Sequence, residues 1–344
     1  MNDGLLARLE QGPVVCAEGY LFELERRGYL QAGAFVPEVV LDHPEVVTQL
    51  HRDFVHAGSD VVEAFTYYAH REKMRIVGKE HLLEELNRQA LALAKEVAAE
   101  SGALFAGDIC NTNVFEDDEE SRATVRAMFE EQVGWAAEAG VDYVIAETFS
   151  HVEEALIALE VVKEAGFPAV VTLIAHQAPT TRDGLDFGEA GKRLEAAGAD
   201  VVGLNCGRGP ATLMPLVREM VDALSVPVAA LPVPYRTHDD QPTFQSLRDG
   251  DGEGLPGGMP FPIALDPFVC NRYEIAAFAR EASDLGVRYL GLCCGAGPHH
   301  VRSLAEALGR TPPASRYSPD MSKHAYFGTD DTLKAENLEF AEEL

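Results

Sequence analysis

Positive charge is scarce in this chain: 28 Lys and Arg stand against 56 Asp and Glu in 344 residues, a net charge of −28. Such a surface repels phosphate backbones and anionic headgroups, so neither nucleic acid nor a membrane is an expected partner. The acidic excess reads as a solvated surface that aids solubility. No apolar run reaches the roughly 18 residues that a bilayer-spanning helix needs. The stretch MNDGLLARLEQG lacks a basic segment followed by an apolar one and does not read as a signal peptide, so the expected location is cytoplasmic. Cysteine is sparse too, six in all, and in a reducing compartment these do not suggest a disulfide framework. A GxGxxG turn after the first apolar run is also missing, which weakens a doubly wound nucleotide-binding sheet.

What is present is ordered by repetition. Eight short apolar runs recur: VVCAEG (14–19), VVEAFTY (61–67), ALFAGDI (103–109), YVIAETF (143–149), AVVTLIA (169–175), VVGLNC (201–206), VPVAAL (226–231) and YLGLCCG (289–295). Runs apolar at nearly every position suit parallel strands buried on both faces. Between them, HLLEELNRQALALAKEVAAESG, SRATVRAMFEEQVGWAAEAG and HVEEALIALEVVKEAG carry apolar residues at helical spacing. EAGVDY, AAGADV and DLGVRY each place a glycine where a left-handed helix cap belongs, then enter the next run. Eight alternations over about 280 residues predict a single (β/α)8 barrel, the TIM-barrel architecture.

No linker divides the chain. The expected organisation is a barrel over residues 1–310 and a C-terminal tail over 311–344. The longest irregular stretch, 233–262, falls between the seventh and eighth strands on the side where barrel active sites form, a position suited to a mobile lid.

The sixth run ends in GLNC and the eighth in GLCC, so the fold brings Cys206, Cys293 and Cys294 to one barrel mouth although about 87 residues separate them. Neighbours within a strand point to opposite faces, so Cys293 and Cys294 can reach one metal only where the strand has ended. Gly295 and Gly297 allow that departure. Three thiolates suit a tetrahedral zinc ion with one open position, at about 2.3 Å per sulfur, as in catalytic rather than structural sites. On spacing alone, buried core thiols or a vicinal disulfide are alternatives. Cys16, Cys110 and Cys270 read as core or loop thiols.

With GLNC and GLCCGAGPHHVR set beside FELERRGYLQAG, HPEVVTQLHRDFVHAGSDV, IAETFSHVEEA and REASDLGVRYLG, the chain resembles the homocysteine S-methyltransferase family, and within it the betaine-using members. The resemblance runs from about residue 4 to 325. It implies a zinc-bearing barrel that methylates a small-molecule thiol acceptor, homocysteine or a relative, from a cationic methyl donor. A free thiol has a pKa near 8.5 and is mostly protonated at neutral pH. A bound metal deprotonates it, and the sulfur then attacks a methyl group in line with the departing atom. The resemblance further implies that Glu147, in IAETF, holds the amino group of homocysteine. The betaine enzymes' C-terminal region builds their oligomer. This tail is shorter, which leaves a homodimer as the expected assembly.

Two sets of positions depart from the family's pattern. The family's Asp-Gly-Gly turn reads Ala17-Glu18-Gly19 here, leaving Glu18 and Gly19 as the candidates for gripping the acceptor. The first threonine of a Thr-x-Thr/Ser pattern is Ala64, with Thr66 retained. Both changes touch the acceptor and open the site to a different thiol. In the donor cage the matching positions hold Phe35, Tyr68 and Thr148, where a betaine enzyme has Trp and two Tyr. Aromatic faces attract an onium group with about 0.5–2 kcal/mol each. The altered set suggests a donor other than glycine betaine, a sulfonium or a larger ammonium. Two other classes compete: a non-catalytic zinc- or ligand-binding barrel, and a metal-dependent hydrolase hinted at by His176 and Asp108.

Overall fold

The computed structural model describes residues 4–250, 255–329 and 335–344. Eight parallel strands, β1 (Val14–Ala17), β2 (Val61–Glu63), β3 (Leu104–Cys110), β4 (Tyr143–Phe149), β5 (Ala169–Leu173), β6 (Val201–Asn205), β7 (Val228–Leu231) and β8 (Tyr289–Leu292), form one sheet. Their order is β1-β8-β7-β6-β5-β4-β3-β2. The seam between β1 and β2 is bridged by Asp60, whose amide donates to the Val15 carbonyl and whose carboxylate accepts from the Val15 amide, both at 2.8 Å. The expected (β/α)8 barrel is the observed one. Each of the eight apolar runs coincides with a strand, β3 alone reaching one residue past its run, because a barrel strand is covered inside and out and cannot alternate in polarity.

The helices Leu83–Ser101, Glu119–Ala139 and Val152–Glu164 lie where the periodicity put them. Gly58, Gly140 and Gly198 turn left-handed before the next strand, at φ of 116°, 78° and 95°. Two residues after each stands an aspartate, Asp60, Asp142 or Asp200, whose carboxylate accepts a backbone amide of the neighbouring strand at 2.8 Å. One short motif therefore both ends a helix and stitches a strand pair.

The barrel interior changes character along its axis. At the N-terminal end Val14, Val61, Leu104, Tyr143, Val170, Val201 and Tyr289 pack together, and Leu5 and Leu9 of the helix Leu5–Gln11 plug the opening. The Tyr143 and Tyr289 hydroxyls meet at 2.9 Å. Following the same alternation of inward residues, the C-terminal end presents Glu18, Glu63, Asp108, Glu147, Asn205 and Cys293. The last residue before the tail seals the apolar end: Arg310 donates to the Asp60 carboxylate and the Pro13 carbonyl.

Several strands end short of their apolar runs, for a physical reason. The second strand ends at Glu63 rather than 67, and β6 and β8 stop before their cysteines, because the chain bends outward there to turn side chains into the mouth. Within 233–250 and 255–262 the β7–β8 connection is largely packed down: Val233, Tyr235, Phe244 and Leu247 are buried, and Tyr235 bridges Val269. Residues 251–254 of the expected lid, and 330–334 of the tail, lie outside the described residues. No helix among the described residues is long and apolar enough to cross a membrane.

Candidate active site

Cys206 follows β6 in a left-handed conformation, φ 55°, with its amide donating to the Leu231 carbonyl at 3.0 Å. Cys293 follows β8, its amide held by the Pro232 carbonyl at 3.0 Å. Gly295 then turns at φ 92°, where any Cβ would collide with the Tyr235 ring. Arg26 locks this turn, donating to the Gly295 carbonyl at 3.1 Å and the Tyr235 hydroxyl at 2.9 Å. Beyond it, His300 Nδ1 accepts from the Gly297 amide at 3.1 Å and Nε2 lies 3.2 Å from the Cys270 carbonyl. Burial keeps that ring neutral, its pKa lowered to about 3.

The result is three free sulfurs, all within 4.8 Å of one another, with Cys293 and Cys294 at 3.9 Å. Four ligands about 2.3 Å from a tetrahedral ion stand about 3.8 Å apart, so the trio fits a single soft metal ion. Cys206 is held well below the usual thiol range by the Cys293 and Cys294 thiols that donate to it. Cys206 and Cys293 are buried, whereas Cys294 is half-exposed toward the mouth. None of the six cysteines is paired in a disulfide, so the vicinal-disulfide alternative is not the observed state.

Beneath the sulfurs lies a layer of acid. Glu18, Glu63, Asp108 and Glu147 are all buried, and burial pushes each carboxyl upward, Glu147 to about 7. Asn205 is the hub that sequence reasoning passed over. Its amide donates to Glu147, to Glu18 at 3.2 Å and to the Thr148 hydroxyl at 2.9 Å. Thr148 in turn donates to Glu147 at 2.8 Å. Glu18 Oε1, Glu63 Oε2 and Asp108 Oδ1 have no hydrogen-bond partner among the described residues. A cavity of about 20 Å³ lies between these carboxyls and the three cysteines, lined also by Ala64, and its crowded acidic oxygens offer acceptors for an ammonium group.

Above the sulfurs opens a second chamber of about 250 Å³, whose aromatic walls are Phe22, Phe35, Tyr67, Tyr68, Phe115, Phe244 and Phe261. Phe22 lies 5.7 Å from Phe35 and 5.9 Å from Phe244, centroid to centroid, and Phe244 lies 5.0 Å from Phe261. Five non-glycine residues among those described have positive φ: Phe35 (54°), Tyr68 (62°), Asn113 (61°), Thr148 (63°) and Cys206 (55°). All five line this chamber. Left-handed backbone outside glycine costs of order 1–3 kcal/mol per residue and concentrates where function demands a particular side-chain direction.

The structure thus gathers Cys206, Cys293, Cys294, Glu147 and Glu18 around one small cavity, and Phe35, Tyr68 and Thr148 around the adjoining one. One face of Tyr68 is already covered by Lys73, whose ammonium sits 4.4 Å from the ring centroid. Thr66 and Gly19, two expected substrate contacts, have these surroundings. Thr66 lines neither cavity: its hydroxyl donates to the Asp108 carbonyl at 2.7 Å, so it positions Asp108 instead. Gly19 also lines neither; it lets the β1 turn pass against the Ala296 carbonyl, which a Cβ there would strike. His176, one of the hydrolase hints, pairs with the Ser150 hydroxyl at 2.9 Å, remote in chain and cavity from the acid layer that holds Asp108. The signal available for Asn205 was its polarity in an otherwise apolar strand; Phe22, Phe244 and Phe261 carried none.

Residues 17–308 match the family model described as homocysteine S-methyltransferase. Betaine–homocysteine S-methyltransferase 1 of Xenopus tropicalis is 40% identical over 333 residues, covering 95% of this chain and 80% of that one. S-methylmethionine–homocysteine S-methyltransferase BHMT2 of Pongo abelii is 39% identical over 331 residues, covering 95% and 86%. The crystal structure of the homocysteine methyltransferase MmuM from Escherichia coli, metallated form, superposes with a TM-score of 0.67 at 18% identity, covering 88% of this chain and 99% of that one. This last likeness is one of fold.

Proposed function

The chain belongs to the homocysteine S-methyltransferase family, and from that premise we propose that it moves a methyl group from an onium donor to homocysteine or a related aminothiol, at a zinc ion held by Cys206, Cys293 and Cys294. The observation that carries this reading is the sulfur trio standing between a carboxylate-walled cavity and an aromatic one. Zinc bound by three thiolates is a Lewis acid that keeps an acceptor thiol deprotonated and fixed at neutral pH.

The protein's own residues do the rest. Glu147 and Glu18 receive the acceptor's ammonium group, with Asn205 and Thr148 fixing the Glu147 carboxylate. The thiol loses its proton to solvent, the sulfur forms a bond to the methyl carbon, and the carbon–onium bond breaks with its electron pair leaving on the donor nitrogen or sulfur. Opposite charges cancel in that step, so aromatic walls that exclude water favour it. Holding both reactants in line contributes up to about 7–11 kcal/mol. Phe35, Tyr68 and their aromatic neighbours surround the onium group. The smaller Thr148 leaves room for a sulfonium or a bulkier ammonium beside glycine betaine.

We assign residues 1–310 to the catalytic barrel, residues 311–344 to a tail that supports a homodimer, and the enzyme to the cytoplasm. Exposed Tyr317, Met321 and Phe327 on the tail favour an interface there. The test is metal content together with methionine formation from homocysteine and glycine betaine, S-methylmethionine or a dimethylsulfonio acid. About one zinc per chain and product from at least one donor are expected. A metal-replete protein that forms no methylated thiol would favour the non-catalytic barrel.

A further inference from the structure

The aromatic chamber has an opposite wall that the methyl-transfer reading leaves without a task. There Ser150, His151, His176 and Arg182 face the same space. Arg182 is the only arginine or lysine among the residues lining the chamber. The lining carboxylate, Glu154, is already engaged, accepting from the Thr112 amide at 2.8 Å and the Thr112 hydroxyl at 2.6 Å. Burial lowers the pKa of both lining histidines.

The Arg182 guanidinium has no ion pair and no hydrogen bond among the described residues. Arg52, Arg71, Arg122 and Arg126 each hold two or three carboxylates, and of the described arginines left without one, Arg182 alone lines the chamber. Its backbone, by contrast, is anchored on every side. The Arg182 amide donates to the Ser150 carbonyl at 2.9 Å. The Asp183 carboxylate accepts the Val152 amide at 2.8 Å. Buried Arg208 binds the carbonyls of His176, Gln177 and Ala178, which sets the start of the same loop. A rigid loop that presents a free planar fork of donors is preorganised for a carboxylate.

We propose that Arg182 pairs with the carboxylate of the methyl donor and so ranks onium acids above onium compounds that lack one. The proposal rests on the methyltransferase reading. It explains why one chamber combines an aromatic surround with a single uncommitted cation. A donor lacking a carboxylate reaches the aromatic wall but leaves Arg182 unpaired.

The test compares zinc-loaded parent, Arg182→Gln and Arg182→Lys with two donors, dimethylsulfonioacetate and trimethylsulfonium, which differ by the carboxylate. In Arg182→Gln the ratio of kcat/KM for the acid to that for trimethylsulfonium should fall about five- to tenfold, the discount from a buried pair reflecting the exposed position of Arg182. The loss should lie in the donor KM, with the acceptor KM unmoved, and Arg182→Lys should recover part of it. An unchanged ratio, or an equal loss for both donors, overturns the proposal. Should the parent methylate no thiol from any donor, the function fails instead. Calorimetric binding of the two onium compounds to parent and Arg182→Gln then still decides the role of Arg182 by the same ratio.

Discussion

At one end of the barrel interior Leu5, Leu9, Val14, Val61, Tyr143 and Tyr289 close on each other without a charged group, and the two tyrosine hydroxyls satisfy one another. Further along the same strands, Glu18, Glu63, Asp108 and Glu147 crowd beneath three cysteines, and three of their oxygens are buried without a partner among the described residues. The first end gains stability from burial. The second gives it up, through desolvated acids and five left-handed residues, to hold side chains in directions that an unconstrained chain would not choose. A barrel allows this division because the strands run continuously from one end to the other while its loops stay at the rim.

The comparison breaks most visibly at the sulfurs. Changing Cys206, Cys293 or Cys294 to serine should lower methyl transfer by at least about a thousandfold and abolish stoichiometric metal. Thermal unfolding of chelator-treated protein should move little, since the apolar end is untouched. A fully active, zinc-bearing Cys294→Ser protein would remove that residue from the ligand set.

The converse change is Leu9→Ala. It should cost about 2–4 kcal/mol of unfolding free energy in denaturant titrations, with kcat/KM at 25 °C within about twofold of the parent. A comparable loss of activity in folded protein would mean that the two ends are coupled.

Smaller effects come from the acid layer. Burial and the neighbouring carboxylates raise the Glu63 pKa well above its ordinary value. The folded state therefore binds this proton more tightly than the unfolded chain does. Folding carries no penalty below the unfolded pKa, and the penalty grows as pH rises from there through the folded value. Glu63→Gln should accordingly match the parent near pH 4 and exceed it by about 1–2 kcal/mol at pH 8, on chelator-treated protein. A stability difference that does not vary with pH would contradict the electrostatic account of this layer.

Much of this was legible in the chain and some was not. The strands were readable because burial on both faces writes a continuous apolar run, and the cysteines because strand ends converge in a barrel whatever their separation in sequence. Strand ends were less so: β2 stops at Glu63 because the chain turns there to aim Tyr67 and Tyr68 at the mouth, a demand of the site rather than of local propensity. Thr66 matched a substrate-binding pattern yet bonds to Asp108, since its direction depends on that same turn. Phe22, Phe244, Phe261 and Arg182 sit on helices and loops brought together only by tertiary structure, and nothing in their local sequence sets them apart.

The smallest expected effect concerns the aromatic chamber. Thr148→Tyr restores a ring at the donor wall and should improve the KM for glycine betaine a few-fold, within the range of a single cation–π contact. The lost hydrogen bond to Glu147 should at the same time weaken acceptor binding slightly. No gain with betaine would mean that Thr148 does not face the onium group.

The most direct measurement follows one isotopically labelled methyl group. Zinc-loaded protein is given homocysteine and a donor carrying a trideuteriomethyl group, either dimethylsulfonioacetate or glycine betaine, and products are read by mass spectrometry in the parent and in Cys206→Ser. The account predicts trideuteriomethyl methionine from the parent with at least one donor, and none above background from the variant. Labelled methionine formed equally by both proteins, or by neither when the parent holds one zinc per chain, would contradict it.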